Sequence, residues 1–262
     1  MKRLMASLSV ELLKIQRSKV FWLTILVSLF IPVMCGIMMW IIMNPESAMN
    51  LNLLRAKAYM LAGKADWQTF FTMLFMMVAM GGIIIFGFVT SWVFGREYAD
   101  RTIKDILALP ASRTTIVISK FIVVLLWCSL LSIIIFIIGI ISGFAVGLPG
   151  WSLSSLLFAG KVYIITASLT VLLCPPVGFF ASASRGYLLP LGFIILMILV
   201  GQFITHLGWG AYFPWTIPAI YSGIAGPAEA SLIGFISGII MLFTAVIGLA
   251  GTIIWWQLAD QK

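Results

Sequence analysis

The spacing of charge constrains this chain more than any other feature. Runs without a single Asp, Glu, Lys or Arg extend over residues 20–45, 67–95, 121–160, 162–184, 186–228 and 230–259. Each holds the roughly 20 apolar residues that carry an α-helix across a bilayer. Lipid offers no hydrogen bonds, so a spanning segment must satisfy its own backbone, and a helix does this within one stretch of chain. Six spans are therefore predicted, near Val20–Met43, Phe70–Phe94, Ile116–Phe144, Leu156–Ala183, Tyr187–His206 and Ser231–Gln257. Composition agrees: the 262 residues are 62% hydrophobic and 9% charged, with a mean hydropathy of +1.15, outside the range of soluble domains. The expected fold class is all-α, a polytopic membrane protein with one transmembrane domain over residues 1–262.

Cations set the expected orientation. With the N-terminus inside, twelve Lys and Arg face the cytoplasm, and only Arg55, Lys57, Lys64 and Lys161 lie outside. This bias satisfies the positive-inside rule with both termini cytoplasmic. The net charge of +8 then reflects orientation, and a nucleic-acid partner is not expected. No cleavable signal peptide is expected, because residues 1–19 are charged and the following apolar run is too long for one. Residues 1–19 place Leu4, Leu8, Leu12 and Ile15 near one face, with Lys2, Arg3, Lys14 and Arg17 beside them. That pattern predicts a helix lying in the membrane plane, with its cations free for anionic headgroups.

Between the second and third spans lies a charged island, Arg96–Lys120, with five cations and three anions in 25 positions. Ala99, Ile103, Ile106 and Leu107 share one helical face; Glu97, Asp100, Arg101, Lys104 and Asp105 cover the other. The spacing predicts a short amphipathic helix with exposed Glu97–Arg101 and Asp100–Lys104 pairs at i,i+4. Pro110 ends it, and Ser112 is placed to cap the next helix. A solvated loop that only sets topology is the competing reading.

The order Glu97, Thr102, Ile106 to Pro110, Ser112, Arg113 and then a hydrophobic helix near Lys120 resembles the coupling segment of ABC-2 type transporter permeases. The resemblance extends over nearly the whole chain. It implies that residues 1–19 form an elbow helix and that Arg96, Glu97, Asp100, Arg101, Thr102, Lys104 and Asp105 form a coupling helix that docks on a separate ATPase. It further implies a second permease chain, identical or not, in the cell membrane. Phe213–Pro218, FPWTIP, looks most like the bacitracin-resistance and lantibiotic-immunity permeases, which implies export of an amphipathic peptide antibiotic. Export of another solute or ion, or a non-translocating scaffold or sensor, are the alternatives.

The remaining motifs are structural or absent. Pro175 and Pro176 remove two backbone donors inside span four, and read as either a moving hinge or a static kink. Residues 206–229 are too apolar for a solvated loop and too rich in Pro and Gly for one helix, so short interfacial helices are expected. An outer helix is expected within 44–69, and the small residues of spans two and three are assigned to close packing. Cys35, Cys128 and Cys174 read as buried thiols. The chain has no G-x-x-x-x-G-K-[ST] phosphate cradle, so it is expected to be no enzyme and to hold no cofactor, with ATP and Mg bound by the partner ATPase. Gly139–Gly143 lacks the spacing of a serine-hydrolase elbow, His206 reads as a polar interfacial residue, and no carboxylate is expected within a span to carry a proton or sodium ion.

Overall fold

The computed structural model describes residues 2–44, 64–103, 112–224 and 226–258. The described residues form α1 (Lys2–Gln16), α2 (Lys19–Met43), α3 (Trp67–Ala99), α4 (Arg113–Val146), α5 (Leu153–Val171), α6 (Cys174–Ala183), α7 (Leu188–His206), a 3-10 turn (Gly210–Tyr212), α8 (Ile217–Tyr221), α9 (Pro227–Ala230) and α10 (Phe235–Leu258). Six of these stretches, with α5 and α6 counted together, are long and apolar enough to span a membrane.

Polar side chains start four of the helices, and backbone geometry stops three. Ser18, Asp66, Ser112 and Ser152 accept from backbone N–H groups in the first turns of α2, α3, α4 and α5, each satisfying a donor that would otherwise be orphaned. At the far end of α4, Leu148 N donates to Gly143 O (3.3 Å) and Gly147 N to Phe144 O (3.0 Å), with Gly147 at φ 75°. This is the Schellman arrangement, in which glycine is favoured. The same pattern ends α3 at Arg101 (φ 58°) and α6 at Arg185 (φ 54°), where arginine takes a left-handed conformation that L-residues avoid.

α3 is the hub. It is the most buried span and packs on α2, α4, α5, α6 and α7. Small residues permit those approaches: a Cβ on Gly139 or Gly143 of α4 would lie 2.7 Å from Leu74 and 2.5 Å from Trp67 of α3, and one on Gly87 would lie 2.2 Å from Ile194 of α7. Without a hydrophobic force between helices in lipid, such close packing supplies the association energy. The packing assigned to glycine in spans two and three is therefore present, and the three cysteines are buried.

Three expectations change. Span two runs to Ala99 and not Phe94, so Glu97 belongs to its last turn. Span four is two helices, with Leu172 and Leu173 between them and Pro175 and Pro176 in the first turn of α6, where a missing N–H costs no helical bond. A Cβ on Gly248 of α10 would lie 2.3 Å from Pro176 N, so the break is packed against the last span. The apolar stripe of α1 is also not left to lipid: Leu8, Leu12 and Ile15 pack into the main core, and α1 lies against α4. Residues 206–229 do form short helical pieces. The outer helix expected within 44–69 falls largely outside the described residues.

Candidate functional site

At the end of the bundle that carries α1, four charged side chains meet, three of them buried and Lys14 partly open to solvent. Glu11 and Lys14 come from adjacent turns of α1, Glu97 from the last turn of α3, and Lys120 from the second turn of α4. Lys120 is 0% exposed and Glu97 1%. Lys120 Nζ donates to Glu11 Oε2 at 3.1 Å, Glu97 Oε1 at 3.0 Å and the Val93 carbonyl at 3.1 Å, which occupies all three ammonium protons. Lys14 Nζ donates to Glu11 Oε1 (3.0 Å) and Glu97 Oε1 (2.8 Å). The second oxygen of Glu97 accepts from the Thr102 hydroxyl at 2.7 Å. Two carboxylates and two ammonium groups make the set neutral, the condition under which buried charge is tolerated.

The cluster ties three segments distant in sequence to the turn after α3. Ser7 and Ser119 hydroxyls meet at 2.7 Å one turn away, which extends the polar seam between α1 and α4. Burial alone would lower the Lys14 ammonium, yet Glu11 and Glu97 outweigh it and hold it above the usual lysine range. A raised lysine keeps its pairing below the ordinary lysine range and loses it only as pH climbs through the raised value. No protonation switch on Lys14 therefore operates near neutrality.

This geometry corrects the expected surface of the island. Glu97 does not pair with Arg101 on an exposed helix; it faces inward to Lys14 and Lys120. Arg96 stacks its guanidinium 4.6 Å from the ring centre of Trp92, with Nε 3.9 Å from Glu97. Asp100 and Arg101 are exposed, Thr102 is half-buried and Ile103 is buried. Lys104 and Asp105 lie outside the described residues. Arg113 instead donates to the carbonyls of Trp256 (2.9 Å) and Gln257 (3.2 Å), placing a cation on the carboxyl end of α10.

Sequence reasoning missed Glu11 and Lys120 as cluster members. The signal for Glu11 was its register: Leu4, Leu8, Glu11 and Ile15 follow helical spacing, so an acid sits on the apolar stripe, where burial demands a cation. Lys120 stands with uncharged, mostly apolar residues on both sides, which pointed to a buried charge but not to its partners. The absence of a carboxylate from the spans also needs amending, since Glu97 belongs to α3, at its end and neutralised.

The fold and this seam define a multi-pass membrane protein whose N-terminal helix is locked to the base of its second and third spans. The chain belongs to the ABC-2 family: the model for the ABC-2 family transporter protein matches residues 7–201, a range that includes the whole ionic cluster. It is also similar to the bacitracin transport permease protein of Bacillus licheniformis, with 29% identity over 184 residues, 70% of this chain and 87% of that protein. This chain is thus the permease subunit of an ABC transporter, and its family associates with an ABC ATPase and the membrane. Phe213–Pro218 lies beyond the family match.

Proposed function

We propose that this chain is the membrane subunit of an exporter of amphipathic peptide antibiotics of the bacitracin or lantibiotic type. It works in the plasma membrane with both termini cytoplasmic, as one of two permease chains paired with two ATPase chains that bind ATP and Mg. Arg96–Asp105 is its coupling segment, residues 1–19 its elbow, and Pro175–Pro176 its hinge. The observation that carries this reading is the buried cluster Glu11–Lys14–Glu97–Lys120: a push on the turn after α3 reaches α1 and α4 through ion pairs that cannot slacken without exposing a bare charge to an apolar interior. The named relative supports the peptide cargo.

Arg101 adds a second line of support. It holds a left-handed conformation that costs about 1 kcal/mol, and strain of this kind is retained where function requires the side chain. Arg101→Gly should stabilise the fold by up to about 1 kcal/mol while weakening capture of the ATPase. Asp100→Lys should also leave the fold intact and impair capture, because a reversed charge on a docking surface repels its partner.

The decisive experiment is co-expression with the cognate ATPase in a sensitive host. The pair should raise the inhibitory concentration of bacitracin or a lantibiotic, whereas the permease alone, or with an ATPase lacking its phosphate-loop lysine, should not. Resistance from the permease alone would reassign it as a sequestering protein, and sensitivity across a broad peptide panel would move the cargo to another solute. Labelling of single cysteines with an impermeant reagent tests orientation: position 57 should react in intact cells and position 104 should not.

A further inference from the structure

On the side of the bundle away from the ionic cluster, α4 and α5 diverge and leave a groove between them. Two adjoining hollows, of about 600 Å³ and 520 Å³, share Phe136 and Ile164 and together follow α5 from Leu156 to Leu172. At 1.5 Å per residue that is roughly 24 Å, more than the ~15 Å depth of one leaflet's hydrocarbon. The walls are mostly apolar, and two of their polar groups are already engaged. Tyr163 donates its hydroxyl to the Ser132 carbonyl (2.7 Å), and Ser132 donates to the Cys128 carbonyl (2.9 Å). What such a groove accepts is a hydrocarbon chain.

Lys161 lines the same groove. It is exposed and has no ion pair among the described residues. It lies eight residues inside a spanning stretch that runs from Leu153 to Ala183. That stretch is roughly 46 Å long, and the hydrocarbon core is about 30 Å, so Lys161 sits only a few ångströms within the apolar layer. Its ammonium can reach the level of lipid phosphates while its stem stays along the groove. A lone cation in a spanning helix signals a functional partner.

We propose that the α4–α5 groove is a binding site for an anionic phospholipid, with Lys161 on the headgroup phosphate and an acyl chain in the channel past Phe136 and Ile164. The ligand belongs to the leaflet opposite the ionic cluster, because Lys161 follows the 147–152 turn and Lys120 lies near the other end of α4. A zwitterionic lipid offers the same tail but also a cation that opposes Lys161. One lysine near an anionic surface gives about a fivefold preference for the anionic head.

The test is native mass spectrometry of the full chain released from micelles containing equimolar dioleoyl phosphatidylglycerol and dioleoyl phosphatidylcholine. The wild-type chain should retain the phosphatidylglycerol in about fivefold excess. Lys161→Gln should bring the two lipids to near parity, and Lys161→Arg should keep the preference. A Cβ at Gly160 meets only Phe136, at 3.9 Å, so Gly160→Leu should fold, fill the groove and lower retention of both lipids. The proposal is overturned if Lys161→Gln keeps the wild-type preference or if Gly160→Leu retains lipid unchanged. A wild-type chain that carries no lipid and forms dimers abolished by Gly160→Leu would give the groove to a second copy and overturn it as well.

Discussion

The two ends of the bundle handle charge in opposite ways. At the α1 end, Lys120 and Glu97 are almost wholly enclosed, and each charge of the four-residue cluster has a counter-charge within 3.1 Å on the same chain. At the other end, Lys161 lies in an apolar groove with no counter-charge among the described residues, while Trp67, Phe144 and Trp151 pack as an uncharged aromatic knot, with ring centres 4.5 to 4.9 Å apart. A neutral internal network holds segments together and asks nothing of a ligand. An isolated cation on an apolar surface contributes little to the fold and is free to recognise something else. The difference separates charges that position helices from charges that bind.

Mutations can break this comparison. Glu97→Lys should have the largest effect, since it leaves three ammonium groups around Glu11 alone. The cost should exceed the ~3–5 kcal/mol of removing one partner from a buried pair, and little monodisperse chain should survive purification. Normal yield and melting would show that the cluster does not hold the fold. Lys120→Met comes next: the side chain is fully enclosed, and its loss leaves Glu11 and Glu97 sharing one cation, for about 3–5 kcal/mol, read from thermal unfolding in detergent. Lys14→Gln should cost less, about 1–2 kcal/mol, because the group reaches solvent and retains hydrogen-bonding capacity. Lys161→Gln should leave melting within about 0.5 kcal/mol of wild type, the range of surface substitutions. A large loss there would erase the contrast between the two ends.

Much of the fold was legible because a bilayer leaves few choices. The charge-free runs located all six spans, and Ser112 was recognisable as a cap from its place after Pro110. Boundaries failed where tertiary contacts overrode local signals. The polar character of Arg96–Ala99 suggested a new amphipathic helix, yet α3 continues through them because Lys14 and Lys120 wait for Glu97 at its end. The same oversight left Lys14 assigned to lipid headgroups. The double proline was read as a distortion within one helix; it starts a new one, and Gly248 of α10 closes against it. Glu11 was overlooked, although an acid in register with Leu4, Leu8 and Ile15 is visible in the sequence.

By itself the sequence determined that the chain is a six-span helical membrane protein, since hydrocarbon forbids an unpaired backbone and only long apolar helices of this composition meet that demand. The E-x-x-x-x-T and ALPxSR spacing also carried the resemblance to the family to which the chain belongs. Only the tertiary structure decided which charges face inward and which remain free. Coulombic pairing in a low-dielectric interior depends on separations of about 3 Å between residues as distant as Glu11 and Lys120, and no local pattern encodes a distance across 109 positions. The vacant space beside Lys161 is likewise set by how far α4 and α5 splay, a property of the packed bundle and not of either helix.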